Sequence, residues 1–251
     1  MISKLIYWFK FIITYKNWKK LVIDRIYNKN STTIELRNDF VVKASTDSPL
    51  SVVMDETFIL ERYTRFFKIC KGDTVIDIGA HVGDFTIYAI IKGAKKVFAF
   101  EPDPTSFSDL KNNIHLNSIS NAILKKIAVS NKNGYAKFYV NSINGGNSLI
   151  HFNSNSNSIK VKTISIDDIF KECKIKNIDF LKIDCEGGEG LILDNPKINT
   201  WKSINKIALE YHDNASVLNH KKIIKILSNL GYYVYSNSFG SKFGYIYAIK
   251  K

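Results

Sequence analysis

Acidic residues and glycines follow two short apolar segments of this 251-residue chain. The first segment, 74–78, contains Asp77 and leads into Gly79, with Gly83 four residues further on. The second, 96–100, is followed directly by Glu101, which stands 22 residues after Gly79. This order is typical of a strand, a glycine turn, a helix and a second strand with an acidic end. It predicts the nucleotide-binding half of a doubly wound α/β fold.

The glycine turn also indicates which nucleotide it would bind. A dinucleotide turn has the spacing G-x-G-x-x-G, which lets a pyrophosphate contact bare backbone at the start of the helix. This chain has Ala80 and His81 where the second close-approach glycine is expected. The turn therefore favours S-adenosylmethionine, which has no pyrophosphate, over a nicotinamide cofactor. We expect Asp77 to lie near the methionyl ammonium and Glu101 to accept hydrogen bonds from the ribose hydroxyls.

Polar residues at later strand ends are candidates for the reaction itself. Asp184 ends the segment 179–184, Glu186 follows it, and His212 follows the segment 204–211. Ligands of open α/β sheets lie beyond the carboxyl ends of the strands, so these side chains should meet. Adjacent carboxylates are costly without a cation, a proton or a metal. Two interpretations stay open: a carboxylate orients His212 as a general base with a near-neutral pKa, or the three residues hold a divalent metal that acidifies a hydroxyl.

Two neighbours of these residues are expected to have supporting roles. Lys182 alternates with Asp184 along the strand and could pair with a nearby carboxylate. Glu189 comes two residues after Gly187, where a carboxylate can cap the start of a helix.

The order of these motifs resembles that of the FkbM family of methyltransferases. The resemblance spans about residues 55–213 and is carried by Asp77-Ile-Gly-Ala80, Phe100-Glu-Pro-Asp103, Asn147-Ser-Leu149, Lys182-Ile-Asp-Cys-Glu-Gly-Gly-Glu189 and Ile207-Ala-Leu-Glu-Tyr-His212. It implies a class I fold, a Rossmann-like doubly wound sheet closed by an antiparallel C-terminal strand pair. It also implies methyl transfer from S-adenosylmethionine, usually to a hydroxyl of a sugar, a glycan or a natural product.

The full set of predicted site residues combines the turn, the strand ends and these motifs. The predicted cofactor-binding residues are Asp77, Gly79, Ala80, His81, Gly83, Glu101, Pro102, Ala128 and Asp184. The predicted catalytic residues are Asp184, Glu186 and His212.

Hydrophobic periodicity places these residues on a β-α framework. The predicted strands are 74–78, 96–100, 123–129, 179–184 and 204–211, and the predicted helices are 83–91, 105–116 and 215–230. Extra strands are expected at 135–140 and 159–166, with a loop rich in Asn, Ser and Gly at 141–158 and a closing pair at 232–236 and 244–249. We expect a methyltransferase domain over 71–251, preceded at 31–70 by a hairpin turning at Asn38-Asp39 and a helix over 55–69.

Residues 1–30 form a basic segment with helical periodicity. They contain seven basic residues and one acidic residue. Phe11 is an apolar exception on the polar side of the predicted helix. The apolar face consists of Ile2, Leu5, Ile6, Trp8, Phe9, Ile12 and Ile13. The apolar stretch is shorter than the roughly 20 residues that span a bilayer. Residues 1–20 could lie on an anionic membrane surface, or the helix could pack on the domain or a partner.

The net charge of +13 bears on the class of partner. A basic protein can bind nucleic acid, anionic lipid or an anionic substrate. Acidic strand ends repel phosphate, and Asp184-Cys-Glu-Gly187 replaces the proline-containing element of base methyltransferases. RNA methylation is therefore the second alternative, and a non-catalytic cofactor-fold module is the third. Three scattered cysteines, Cys70, Cys173 and Cys185, favour reduced thiols and a cytoplasmic protein.

Overall fold

A computed structural model describes residues 3–45, 48–140, 147–150, 157–194, 196–239 and 242–251. Its strands are β1 Thr33–Glu35, β2 Val41–Lys43, β3 Thr74–Ile78, β4 Lys96–Phe100, β5 Ala122–Lys125, β6 Ala128–Ser130, β7 Gly134–Val140, β8 Asn157–Ser165, β9 Ile178–Ile183, β10 Ile204–His212, β11 Tyr232–Phe239 and β12 Phe243–Lys250. Its α-helices are α1 Lys4–Thr14, α2 Trp18–Ile26, α3 Leu50–Met54, α4 Asp84–Ile91, α5 Pro104–Leu116, α6 Ile166–Glu172, α7 Glu189–Ile192, α8 Ile198–Trp201 and α9 His220–Asn229. A π-helical turn, Asp55–Ile59, and a 3₁₀ turn, Arg62–Thr64, follow α3.

Seven strands form the central sheet in the order β11-β12-β10-β9-β3-β4-β5. Within this sheet the neighbours β10, β9, β3, β4 and β5 pair in parallel. Strand β12 is antiparallel to both β10 and β11. The chain leaves β3 towards β4 on one side and later returns to β9 on the other. This reversal opens a crevice at the carboxyl end of β3. The predicted α/β fold with an antiparallel C-terminal pair is therefore confirmed.

The central strands read as nearly continuous apolar runs because both faces of the sheet are covered. Ile76, Leu181 and Ile207 belong to the core on one face, and Val75 and Phe180 belong to the core on the other. Parallel strands that are buried on both sides lack the alternation of half-exposed strands. This burial holds the carboxyl ends of β3, β4 and β9 in fixed register.

Three predicted elements differ from the structure. The predicted strand 123–129 is two strands: β5 extends the central sheet beside β4, and β6 pairs with β8 in a separate sheet of order β6-β8-β7. The predicted helix 215–230 begins only at His220, where the Asn219 side chain accepts a hydrogen bond from the Lys222 N–H. Instead of a helix over 55–69, α3 begins at Leu50 and the π-helical turn continues it.

Other predicted elements keep their places. The hairpin forms from β1 and β2, with Asp39 in the left-handed region at φ 66°. The extra strands and the closing pair are present, the latter as β11 and β12. Of the predicted loop 141–158, residues 141–146 and 151–156 lie outside the described residues.

The N-terminal helices pack on the central domain through the side of α1 that lies opposite its apolar face. Phe11, the exception in the sequence pattern, is fully buried, and Tyr15 and Leu21 are buried beside it. These side chains share one hydrophobic cluster with Val82 and Leu110 of the central domain. The N-terminal segment and the central domain therefore share one hydrophobic cluster. No helix in the described part of the chain is long and apolar enough to cross a membrane.

Candidate active site

A cavity opens at the carboxyl ends of β3, β4 and β9, and three parts of the chain form its wall. The strand ends contribute Ile78, Gly79, His81, Phe100, Glu101, Pro102, Asp103, Lys182, Asp184, Cys185 and Glu186. The small sheet and its neighbours contribute Ala128, Val129, Phe138, Asn147 and Leu149. The N-terminal region contributes Pro49, Val52, Val53, Glu56, Thr57 and Tyr63. The cavity thus has an acidic floor, defined here as Asp184 and Glu186, together with an apolar side wall from the small sheet and an N-terminal wall.

The glycine turn after β3 is dictated by close packing. Gly79 has φ +75°, and a Cβ atom there would lie 1.7 Å from the carbonyl oxygen of Asp184. Gly83 has φ +92°, and its Cβ would lie 2.6 Å from Leu110 Cδ1. Gly79 lines the cavity, whereas Gly83 is needed where α4 meets α5. The second glycine of the motif thus serves packing between helices.

Glu101 joins the end of β4 to the glycine turn. Its two carboxylate oxygens accept hydrogen bonds from the His81 N–H and the Asp103 N–H, both at 2.8 Å. Burial raises the pKa of Glu101 to about 7, although these two hydrogen bonds act to lower it. Each oxygen keeps one lone pair for a ligand hydroxyl. The Nδ1 atom of His81, on the same wall, is buried and has no hydrogen-bond partner among the described residues.

Asp77 is fully buried and is not part of the cavity wall. Its carboxylate accepts a hydrogen bond from Thr86 Oγ1 at 2.7 Å and lies 3.2 Å from Lys182 Nζ. Lys182 also donates to the carbonyl oxygen of Gly79 at 2.6 Å. Burial lowers the pKa of Lys182, but Asp77 and then Asp184 outweigh that effect and raise it. Asp77 therefore holds Lys182 beneath the turn, and its place near the methionyl ammonium stays a prediction.

Asp184 is held at the cavity by a tyrosine from the N-terminal region. Tyr63 donates its hydroxyl hydrogen to Asp184 Oδ2 at 2.7 Å, and the same hydroxyl lies 3.1 Å from Glu210 Oε2. Burial and then the charge of Asp184 raise the pKa of Glu210 to about 8. Glu210 is therefore protonated at neutral pH and can donate to Tyr63 while Tyr63 donates to Asp184. The hydrogen bond from Tyr63 uses Asp184 Oδ2, and Asp184 Oδ1 has no hydrogen-bond partner in the described structure.

Glu186 lines the cavity, and His212 lies beside Glu186 without being part of the cavity wall. Glu186 Oε2 lies 3.4 Å from His212 Nε2, and Glu189 Oε1 lies 3.2 Å from His212 Nδ1. Glu189 also accepts the N–H groups of Cys185 and Gly187, so its side chain fastens the loop before α7 and makes no cap hydrogen bond to the helix itself. Glu186 itself has φ +51°, a strained conformation for a residue with a side chain.

The charges around His212 change its expected chemistry. Burial lowers the pKa of His212, but the hydrogen bond and charge of Glu189, together with Glu186 and Asp184, raise it to about 10. A pKa of about 10 favours the protonated imidazole at neutral pH, and the role of His212 as a general base stays a prediction. Burial, then repulsion by Asp184, raises the pKa of Glu186 to about 7, and His212 opposes that rise. Of Glu186 and His212, Glu186 is therefore the group with a near-neutral pKa.

The same cluster has the composition of a hard-metal site. Asp184, Glu186 and His212 each offer one atom, and these atoms lie within 4.8 Å of one another. Two carboxylate oxygens and an imidazole nitrogen suit Mg²⁺ or Mn²⁺ more than a soft metal. His212 Nδ1 faces Glu189, so Nε2 is the atom that is directed towards Glu186.

The structure brings together most of the predicted site. Six predicted cofactor-binding residues lie on the cavity wall: Gly79, His81, Glu101, Pro102, Ala128 and Asp184. Asp77, Ala80 and Gly83 are buried and lie outside it. Sequence reasoning missed the contributions of Tyr63 and Glu56, which no motif marks. Glu210 belongs to the motif Ile207–His212 at the end of β10, but its contact with Tyr63 was not predicted.

This sheet order, with the acidic strand ends gathered at its crevice, defines a class I methyltransferase. The chain belongs to the family of the methyltransferase FkbM domain, whose model matches residues 77–234. The chain is 24% identical over 234 residues to the 31-O-demethyl-FK506 methyltransferase FkbM of Streptomyces tacrolimicus, covering 80% of this chain and 89% of that protein. It is 28% identical over 158 residues to the hexuronic acid methyltransferase AglP of Haloferax volcanii, covering 63% of this chain and 62% of AglP.

A solved structure supports the fold. The crystal structure of methyltransferase FkbM from Methylobacillus flagellatus KT superposes with a TM-score of 0.53 at 16% identity. The match covers 74% of this chain and 46% of that chain. The cavity wall formed by the N-terminal region precedes the residues that the family model matches.

Proposed function

We propose that this methyltransferase transfers a methyl group from S-adenosylmethionine to a hydroxyl group of a sugar, a glycan or a natural product. The observation that carries the proposal is the pair Asp184 and Glu186 on the wall of a cavity whose other strand ends suit a nucleoside. The relatives named for methylating FK506 and hexuronic acid support an oxygen acceptor. RNA methylation is less well supported, because the acidic floor disfavours phosphate.

The cavity wall fits the proposed cofactor in three respects. Glu101 has free lone pairs for ribose hydroxyls, and the apolar side chains of Val129 and Phe138 suit an adenine ring. His81 Nδ1 and Asp184 Oδ1 have no hydrogen-bond partner within the described parts of the chain, and a charged methionyl group would satisfy them. S-adenosylmethionine, when bound, supplies an electrophilic methyl group on a sulfonium.

Glu186 is the proposed proton acceptor for the hydroxyl. A carboxylate with a pKa of about 7 is well matched to accepting a proton at neutral pH. The imidazolium of His212 lies 3.4 Å from Glu186 and keeps that pKa from rising further. Asp184, oriented by Tyr63, is proposed to orient the acceptor or the methionyl ammonium.

The acceptor is proposed to enter along the N-terminal wall. Val52, Val53 and Glu56 line this side of the cavity, and the strand ends are assigned to the nucleoside. Burial is the largest cause that raises the pKa of Glu56, and Asp184 adds to it. A wall made of apolar and acidic groups favours a neutral or cationic acceptor over an anionic one.

The test is methyl transfer to a panel of neutral, amino and acidic glycosides, with RNA as a competitor. For any acceptor found, Glu186→Gln should lower kcat by about 100-fold or more, as expected for loss of a general base. The affinity for S-adenosylhomocysteine should stay within about twofold, because no cofactor contact is assigned to Glu186. Glu172→Gln, an exposed change outside the cavity, is the matched control. A Glu186→Gln enzyme with wild-type turnover, or competition by RNA, would contradict the proposal.

A further inference from the structure

Helix α1 presents an exposed apolar face, defined here as Leu5, Ile6, Trp8, Phe9, Ile12 and Ile13. The exposed fraction reaches 81% for Leu5 and 62% for Phe9. Isolated exposed apolar side chains are ordinary, but six on one short helix form a contiguous patch that marks an interaction surface. The described structure has nothing that covers this face.

The opposite side of α1 is firmly attached to the domain. Phe11 is fully buried, and the Tyr7 hydroxyl donates to Asp55 Oδ2. Arg25 of α2 pairs with the same carboxylate at 2.6 Å, and Lys10 pairs with Glu61 at 3.0 Å. Because these contacts fix the orientation of the helix, its apolar face cannot turn inward without breaking them.

The surroundings of this face are basic. Lys4 is exposed on α1 itself, and Lys16, Lys19 and Lys20 are exposed just beyond its end. Lysine is depleted in protein–protein interfaces, whereas lysine together with Trp and Phe is characteristic of helices that lie in an anionic membrane interface. Each basic residue near such a surface strengthens lipid binding about fivefold.

The position of α1 relates this face to the cavity. Tyr7 and Tyr15 both donate to Asp55, the first residue of the π-helical turn. The next two residues of that turn, Glu56 and Thr57, line the acceptor side of the cavity. One short element therefore contacts both the exposed helix and the cavity.

We propose that the apolar face of α1 docks on an anionic lipid bilayer, with the acceptor side of the cavity linked to the docked helix through the π-helical turn. Leu5, Trp8, Phe9 and Ile12 enter the boundary between headgroups and acyl chains, while the flanking lysines contact the headgroups. The helix does not span the bilayer. This binding does not depend on the identity of the methyl acceptor.

The test is co-sedimentation of the full chain with vesicles of mixed phosphatidylglycerol and phosphatidylcholine, and with vesicles of phosphatidylcholine alone. We expect binding to the anionic vesicles that weakens with salt. The double change Leu5→Ser and Phe9→Ser should weaken it about tenfold or more, because two large apolar anchors are lost. The control double change, Tyr135→Ser and Ile198→Ser, removes apolar side chains that are also exposed but lie elsewhere, and should leave binding unchanged.

The contribution of charge is tested separately. Lys4→Glu combined with Lys19→Glu should reduce binding more than Lys111→Glu combined with Lys221→Glu, which changes the net charge equally at other exposed positions. Retained binding of S-adenosylhomocysteine by each variant shows that it is folded. Equal binding to neutral vesicles, or no loss in the Leu5 and Phe9 variant, would overturn the proposal. A stable dimer that dissociates in that variant would overturn it in favour of a second copy of the chain.

Discussion

Replacing Lys182 by methionine should lower the free energy of unfolding by about 3–5 kcal/mol, because it leaves a buried carboxylate without a cation. The side chains of Lys182 and Asp77 are 4% and 0% exposed, and their charged atoms are 3.2 Å apart. Methionine keeps most of the volume of lysine, so the change removes charge and hydrogen bonds without a large cavity. It also removes the donor to the carbonyl oxygen of Gly79, so the cofactor turn should loosen as well.

The matched control is Lys16→Met, which removes a lysine from another ion pair. Lys16 and Asp39 are 3.0 Å apart, but their side chains are 57% and 83% exposed. An exposed pair of this kind contributes at most about 1 kcal/mol. Adding Asp77→Asn to Lys182→Met should restore part of the lost stability, because the buried charge is then removed. Urea unfolding of all three variants and the wild type measures these differences. Equal losses for Lys182→Met and Lys16→Met would refute the reasoning.

Three further predictions concern the proton acceptor, the glycine turn and the metal. The pKa of Glu186 is about 7, so turnover should fall as the pH drops through that value. His212→Gln should shift this fall in turnover to higher pH, because a cation that lowers the pKa of Glu186 is lost. An unchanged pH dependence of turnover would contradict the assignment. Gly72→Ala, at φ +95° with nothing near its Cβ, should cost about 1–2 kcal/mol. Gly79→Ala should lower the free energy of unfolding much more, since its Cβ would lie 1.7 Å from a backbone oxygen of Asp184. Similar losses for Gly72→Ala and Gly79→Ala would argue against packing as the reason for Gly79. Treatment with EDTA should leave turnover unchanged, whereas a loss that Mg²⁺ restores would favour the metal interpretation.

The β-α framework was predictable because its signals are local. Long apolar runs, a glycine turn and an acidic residue directly after a strand follow from the geometry of a parallel sheet that is buried on both faces. The division of residues 123–129 between β5 and β6 was not predictable in the same way. Both halves are apolar, and periodicity does not show that the chain passes from one sheet to another.

The site was less predictable where long-range packing decides the outcome. Asp77 has the sequence position of a cofactor contact, but in the structure its carboxylate pairs with Lys182 of β9. The pKa of His212 depends on Glu189 and Glu186, whose approach a single sequence does not reveal. Tyr63 comes from a segment with no motif, yet it donates to Asp184.

The N-terminal helix shows why amphipathic patterns do not identify the buried face. The pattern separates an apolar face from a polar one, but either face can contact the protein. Here Tyr7, Lys10 and Phe11 make the contacts with the domain, and the apolar face is left exposed. Specific hydrogen bonds and one large aromatic side chain outweighed the general preference for apolar burial.

The most direct test of the central claim is calorimetric titration of S-adenosylhomocysteine into the wild-type protein and into Glu101→Ala, with NADH as the control ligand. We predict micromolar binding by the wild type, no binding of NADH, and affinity at least about tenfold weaker in the variant, equivalent to about 1.4 kcal/mol. Glu101 lies on the cavity wall, and its carboxylate is the group assigned to the ribose hydroxyls. Folded wild-type protein that prefers NADH, or a Glu101→Ala variant that binds as tightly as the wild type, would contradict the account.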